Sequence, residues 1–280
     1  MKRLGLQILV GIKWVPNTSN VRFDPKTGAL IREGVPSIVN PHDLDAVEFA
    51  LDLRDRYGGE VNALSMAPPS AIEGLEQVLG MGVDSAILVS DRIYGGADTL
   101  ATSYVLAHAV KRISNQRGKL DLVIFGQETI DSSTAHIAAQ TASWLDLPYL
   151  YYVRSVEIKE NGFIAVERWL EDEKTIYDLP LPAVLGVAMK SREPRPVRLI
   201  YKIRAKAEKP IEIVTNEILK LNPNCVGLKG SPTWVSKIDY TPEVKRKREV
   251  FMDPDAGKAA KWLMQKYADE DINLIGGAHR

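Results

Sequence analysis

The 280-residue sequence contains one cysteine, Cys225, so it can form neither an internal disulfide nor a cysteine-rich metal site. No apolar run approaches the roughly 18 residues of a membrane-spanning helix. Neither sign of charge is in excess. Thirty-six Lys and Arg balance 36 Asp and Glu, which speaks against a general nucleic-acid binder working by phosphate neutralisation. Two phosphate fingerprints are missing, GxGxxG behind a strand and GxxxxGK[ST]. Gly80-Met81-Gly82 precedes a strand rather than following one, which is the wrong context. HExxH is missing too, and His42, His108, His136 and His279 lack ligand-like spacing. The first residues, MKRLGLQILVGIKWVP, have a short apolar part broken by Lys13 and no small-residue cleavage site, so they do not read as a signal peptide. The expectation is a soluble cytoplasmic protein. At this length it buries roughly three quarters of its unfolded surface without a metal or disulfide staple.

What is present is strand–helix alternation. Leu6–Ile12, Val61–Met66, Ala86–Ser90 and Leu120–Phe125 have the apolar continuity of buried strands. Pro41–Tyr57, Pro69–Leu79 and Thr99–Ile113 have helical spacing. Asn40 stands as an N-cap before Pro41, and Gly58-Gly59 as a stop. This predicts a doubly wound α/β domain around a parallel sheet. Beyond Tyr149 the pattern becomes strands, with Asn161-Gly162 as a hairpin turn, and Leu181–Val187 is expected to return as a fifth parallel strand. From about Lys190 regular periodicity fades, until an amphipathic helix at Ala256–Tyr267. The chain therefore divides into an α/β domain over 1–190, with a small β-hairpin region at about 149–180, and a C-terminal arm over 191–280.

Open parallel sheets bind ligands beyond the carboxyl ends of their strands, where the strand order reverses. The loops after the first and fourth strands are thus the places to look. After the first come Gly11, Lys13 and Pro16. Gly11 permits close approach by a ligand or, equally, by a neighbouring strand. After the fourth comes Gly126-Gln127-Glu128-Thr129-Ile130-Asp131-Ser132-Ser133-Thr134-Ala135-His136, followed by a helical pattern to Leu145. Asp131, Ser132, Ser133 and Thr134 either cap that helix or line a phosphate seat at its amides. Asp131 itself would repel a phosphate and suits a sugar hydroxyl better. Gly95-Gly96-Ala97-Asp98-Thr99 opens the third helix, with Thr99 and Thr102 on one face; a turn plus cap explains it equally well.

Lys190–Lys209 carries eight Lys or Arg against two Glu, around the apolar island Leu199-Ile200-Tyr201. That island is either packed or an exposed anchor for a partner. KRKR at 245–248 reads as a solvated segment.

In order along the chain, VGIKWVP, NPHDLDAVEFAL, LSMAPPSAIEGLEQVLGMGVDSAILVSD, DLVIFGQETIDSSTAHIAAQTASWL, ERWLEDEKTIYDLPLPAVLGV and REPRPVRLIYKIRAKA resemble the beta subunit of electron-transfer flavoproteins. The resemblance covers nearly the whole chain. It implies a Rossmann-like fold with an arm embracing an alpha subunit, and an adenine nucleotide at the switch point of the sheet. The matching positions are Gly11, Asn40, Pro41, His42, Asp43, Met66, Gly126, Gln127, Glu128, Thr129, Ile130, Asp131, Ser132, Ser133, Thr134, Ala135, His136 and Ile137. It also implies that Leu199 enters a pocket on a dehydrogenase.

The family has an ordinary form holding AMP in this subunit and an electron-bifurcating form holding a second FAD there. NPHD and GGADTLATSYVLA look like the bifurcating form and add Asp98, Thr99 and Thr102 to the expected site. That form implies NADH as electron donor. One electron then goes to ferredoxin or flavodoxin, and the other goes through the alpha-subunit FAD to a dehydrogenase or quinone oxidoreductase. Such partners would make any membrane association peripheral. No catalytic acid or base and no metal are expected. Alternatives are the AMP-holding form and a nucleotide-binding regulatory module; the missing GxGxxG weakens a stand-alone NAD dehydrogenase.

Overall fold

The structure, a computed structural model, describes residues 5–17, 22–23, 30–31, 36–171, 173–208, 211–233, 250–252 and 254–269. The opening strand β1 (Leu6–Gly11) is followed by β2 (Trp14–Pro16), β3 (Arg22–Phe23), β4 (Leu30–Ile31) and β5 (Ser37–Val39). Next come α1 (Pro41–Tyr57), β6 (Gly59–Met66), α2 (Ile72–Met81), β7 (Ser85–Val89), α3 (Thr99–Arg117), β8 (Leu122–Gly126) and α4 (Ile137–Leu145). A meander of β9 (Tyr149–Ile158), β10 (Phe163–Leu170) and β11 (Glu173–Pro180) leads into β12 (Ala183–Val187), α5 (Leu199–Glu208), β13 (Ile211–Val214) and α6 (Asn216–Leu219). The chain forms two compact units, Met1–Ile238 and Asp239–Arg280; helix α7 (Ala256–Asp269) belongs to the second.

One nine-stranded sheet organises the first unit, in the order β11-β10-β9-β12-β8-β1-β6-β7-β13. From β9 through β13 in that order every pairing is parallel, and β9, β10 and β11 pair antiparallel. The alternation of side chains along β1 divides the core. Ile8 and Val10 enter a cluster with α1 and α2, while Leu9 enters one with α3 and α4 on the other face. All three are fully buried, and each such aliphatic side chain contributes about 1.5–3 kcal/mol by leaving water. This is the Rossmann-like doubly wound arrangement. The chain runs from β1 outward through β6 and β7, then returns to place β8 on the other side of β1, so the order reverses between β1 and β8.

Helix α1 has the bounds the sequence dictates: Pro41 fits a first-turn position that has no hydrogen bond to lose. Helix α3 runs one turn past Ile113, to Arg117 before Gly118. Asn161 and Gly162 both take positive φ, 59° and 78°, as a tight hairpin requires. Ala183–Val187 does return to the parallel sheet, beside β8.

The expected irregularity beyond Lys190 is corrected. Helix α5 forms there, and β13 extends the sheet beside β7. Their periodicity was hard to read because α5 turns Leu199, Ile200 and Ile203 outward and β13 is four residues long. The compact unit accordingly runs past residue 190 to Ile238. Arg195 fastens this stretch to α1 through Glu48 at 2.8 Å and Asp55 at 3.0 Å. The KRKR segment at 245–248 lies outside the described residues. None of the described helices is long and apolar enough to cross a membrane.

Candidate functional site

The reversal in strand order brings the exits of β1 and β8 side by side. The short antiparallel pair β2–β5 then folds the chain back, so that the start of α1 meets the end of β1: Asn40 N–H donates to the Lys13 carbonyl at 2.9 Å. These three-residue strands carry almost no periodic signal, and they are what assembles the site.

Asn40 is not the side-chain cap expected of it. It makes no capping hydrogen bond to α1. Its side-chain amide instead donates to the Glu128 carbonyl at 2.8 Å, and its Oδ1 accepts the Ile130 N–H at 3.2 Å. The side chain therefore pins the loop after β8 from the far side of the crevice.

Asp43, in the first turn of α1, is buried at 5% exposure. It accepts the Lys13 main-chain N–H at 2.8 Å, and the N–H of Gly126 also donates to it. Burial pushes its pKa up to about 7, against the pull of these donors, of Asn40 and of the Lys13 charge. Its neighbour Gly126 has no space for a side chain: a Cβ there would stand 2.5 Å from Asp43 Oδ1 and 2.6 Å from the His42 carbonyl. At Gly11 a Cβ would lie 2.3 Å from the Phe125 ring. The ring of Phe125, on the neighbouring strand β8, thus occupies the space that a side chain at Gly11 would take.

The loop between β8 and α4 gathers hydroxyls. Thr129 Oγ1 donates to Asp131 at 2.6 Å and lies 2.8 Å from Ser132 Oγ, while Ser133 N–H returns to the Thr129 carbonyl at 2.8 Å. Lys13 reaches over from β1 and holds Asp131 at 2.8 and 2.7 Å, with Thr129 and Ser132 hydroxyls at 3.4 and 3.5 Å. Burial works to raise the Asp131 pKa, but Lys13, Thr129 and Ser132 outweigh it and hold the carboxyl below its ordinary value. Lys13 stands in the loop after the first strand that the sequence singles out, but it is not among the positions that the resemblance assigns to the site. Its signal was its place directly behind a strand that ends at the switch point.

None of Asp131, Ser132, Ser133 and Thr134 caps α4, contrary to one of the two readings of that run. The N-cap position is His136, which makes no side-chain cap. The loop instead turns through Ser133 and Ala135, both at positive φ (46° and 53°), a conformation that costs a non-glycine residue of order 1 kcal/mol or more. Beyond it, the main-chain N–H groups of Thr134, Ala135, His136 and Ile137 have no hydrogen-bond acceptor among the described residues. Such amides, at a helix start and beside hydroxyls, fit the oxygens of a phosphate. The donor set therefore fits a phosphate group.

The start of α3 joins the same cluster: Thr99 Oγ1 lies 3.4 Å from His136 Nδ1. Thr102 stands one turn further, half-buried. Asp98 is committed elsewhere. Its carboxylate caps α3 through Ala101 N–H at 3.0 Å and accepts the Thr233 hydroxyl at 2.8 Å. Burial tends to raise its pKa, but these donors outweigh burial and hold the carboxyl below its ordinary value. Gln127 accepts Met189 N–H at 3.2 Å, and half-buried Met66 packs at the end of β6 on the α3–α4 face. Pro41 and His42 open α1, Glu128 lies in the loop after β8 and Ile137 opens α4, while Leu199, on α5, is elsewhere and 71% exposed.

A cavity of about 410 Å³ sits at the opposite edge of the sheet, among Arg54, Asp55, Asp84, Arg195 and Arg204. Three of its arginines are paired with neighbouring carboxylates, Arg54 with Asp84, Arg195 with Asp55 and Arg204 with Glu208, and the fourth, Arg198, donates to the Tyr201 hydroxyl at 3.0 Å.

The electron transfer flavoprotein domain family matches residues 27–219. An electron transfer flavoprotein subunit beta of Clostridium acetobutylicum is 39% identical over 265 residues, 95% of this chain and 99% of that protein. The caffeyl-CoA reductase-Etf complex subunit CarD of Acetobacterium woodii is 39% identical over 268 residues, covering 95% and 100%. Protein FixA of Bradyrhizobium diazoefficiens is 37% identical over 248 residues, covering 88% and 85%.

Proposed function

The chain belongs to the electron transfer flavoprotein family as a beta subunit, and from that premise we propose that it holds FAD between β1 and β8 and serves flavin-based electron bifurcation. The observation that carries the reading is the row of four free amides, Thr134 to Ile137, in one cluster with Thr99, Thr129 and Ser132 at the reversal of the sheet. When bound, FAD would take a hydride from NADH and release its two electrons separately, one toward ferredoxin or flavodoxin and one toward the flavin of an alpha subunit.

The protein's own task is to bind and orient. The amides of Thr134 to Ile137 receive phosphate oxygens. Asn40 keeps the loop at its distance from α1, and Asp131 offers an acceptor to a sugar hydroxyl. Thr99 and Thr102 serve the part of a dinucleotide that extends beyond a single phosphate. Leu199, Ile200 and Ile203, exposed on α5, form the contact with a dehydrogenase or quinone oxidoreductase. No side chain is asked to move a proton.

A second reading, AMP in place of FAD, draws support from Asp98, which the longer ligand would need and which is already engaged with Ala101 and Thr233. The visible spectrum and extracted nucleotides of the complex purified with its alpha subunit separate the two. Two flavins per heterodimer support FAD here, and one flavin with one AMP supports the second reading. A colourless, nucleotide-free complex overturns both. Replacing Thr99 and Thr102 together by Val lowers flavin occupancy under the first reading only.

A further inference from the structure

Lys13 is placed as a movable cation on a fixed root. Its main chain is held on both sides, the N–H by buried Asp43 at 2.8 Å and the carbonyl by Asn40 at 2.9 Å. Its ammonium, by contrast, sits at the mouth of the crevice, where the Lys13 and Asp131 side chains are 42% and 25% exposed. An ion pair in that setting is held weakly. It also sits on the loop whose next residues offer free amides, and Lys13 is the cationic side chain touching that loop among the described residues.

We propose that Asp131 is a stand-in for phosphate: Lys13 is the counter-ion of the bound nucleotide, and it exchanges the Asp131 carboxylate for a phosphate oxygen when the ligand enters. The inference rests on the nucleotide reading of this site and adds the residue that selects for charge. A nucleotide phosphate offers more negative charge and more acceptor oxygens than one carboxylate, so the exchange runs toward the ligand. The amides of Thr134 to Ile137 complete the shell from the opposite side, and neutral hydroxyls of Thr129 and Ser132 bridge the two positions of the ammonium. Once released, Asp131 is free to accept a hydrogen bond from a ribose hydroxyl. With its charge masked by Lys13 in the meantime, the site does not repel the anion it is built to admit.

The test compares AMP with adenosine, which differ by the phosphate alone. The full chain, purified with its alpha subunit and stripped of nucleotide, is titrated calorimetrically with each. In Lys13→Gln the ratio of AMP to adenosine affinity falls about tenfold, as loss of one charge-assisted hydrogen bond predicts. In Asp131→Asn, which keeps an acceptor oxygen and removes the competing charge, the ratio rises about threefold. The ratio is insensitive to general damage to the loop, because damage weakens both ligands alike. An unchanged ratio in Lys13→Gln, or a fall in Asp131→Asn, overturns the exchange while leaving the nucleotide site standing. If the unsubstituted complex binds neither compound, the nucleotide reading fails and the exchange with it.

Discussion

Asn40 and Ile130 are joined by a 3.2 Å hydrogen bond across 90 residues of sequence, and the same side chain holds Glu128 at 2.8 Å. A residue at the start of α1 thereby sets the height of the loop leaving β8. Asn40 is itself fully buried, so removing its amide leaves main-chain groups without partners.

Asn40→Ala should accordingly cost about 1–3 kcal/mol in chemical denaturation. Amide hydrogen exchange at Ile130 should speed up while the centre of α1 stays protected. Unaltered exchange at Ile130 would show that the loop holds its place unaided.

Asp43 gives the protein a pH dependence of defined sign. Its carboxyl titrates near 7 when folded and near 3.8 when unfolded, because burial disfavours the charge. The folded state thus binds the extra proton between those values, and stability falls as pH rises from about 4 to about 7, then levels off. The full span is at most about 4 kcal/mol. Denaturation at pH 5, 6, 7 and 8 should trace this limb, and Asp43→Asn should flatten it.

Gly11 and Phe125 share one space. Gly11→Ala should destabilise by about 1–3 kcal/mol through overpacking. The penalty should shrink in a Phe125→Leu background, a coupling that a double-mutant cycle reads directly. Additive effects would mean that the ring has another place to go.

Leu199 should behave as a surface residue for folding and as a contact for exchange of electrons. Leu199→Ala should leave the thermal midpoint within the change expected of about 0.5 kcal/mol. It should also raise the KM for the redox partner in a steady-state assay. A large loss of stability would place Leu199 in the fold instead.

The division between what the residues announce and what they conceal follows the range of the interactions. Helix α1 and the turn at Asn161-Gly162 are local, so Pro41, Gly58 and the positive-φ pair are enough to define them. The alternation of Ile8, Leu9 and Val10 likewise places two helical layers about one sheet. The site hydroxyls were legible as a group because they follow a strand end. Their roles were not. Asn40 reads as a cap by type, and only the β2–β5 pairing turns it toward Glu128. Lys13 reads as an interruption in an apolar run, and its partner Asp131 lies 118 residues away. Asp98 reads as a ligand contact, yet Thr233, far downstream, takes up its carboxylate.

Strand β13 carries a consequence for biosynthesis. Ile211–Val214 pairs with Ala86–Val89 and covers a flank that would otherwise stay open to other chains. That flank is made early and sealed late: more than a hundred residues must leave the ribosome after β7 before its cover arrives. The nascent chain is therefore exposed to sticking through β7 for a large part of its synthesis. A product stopped short of residue 211 would keep that liability permanently.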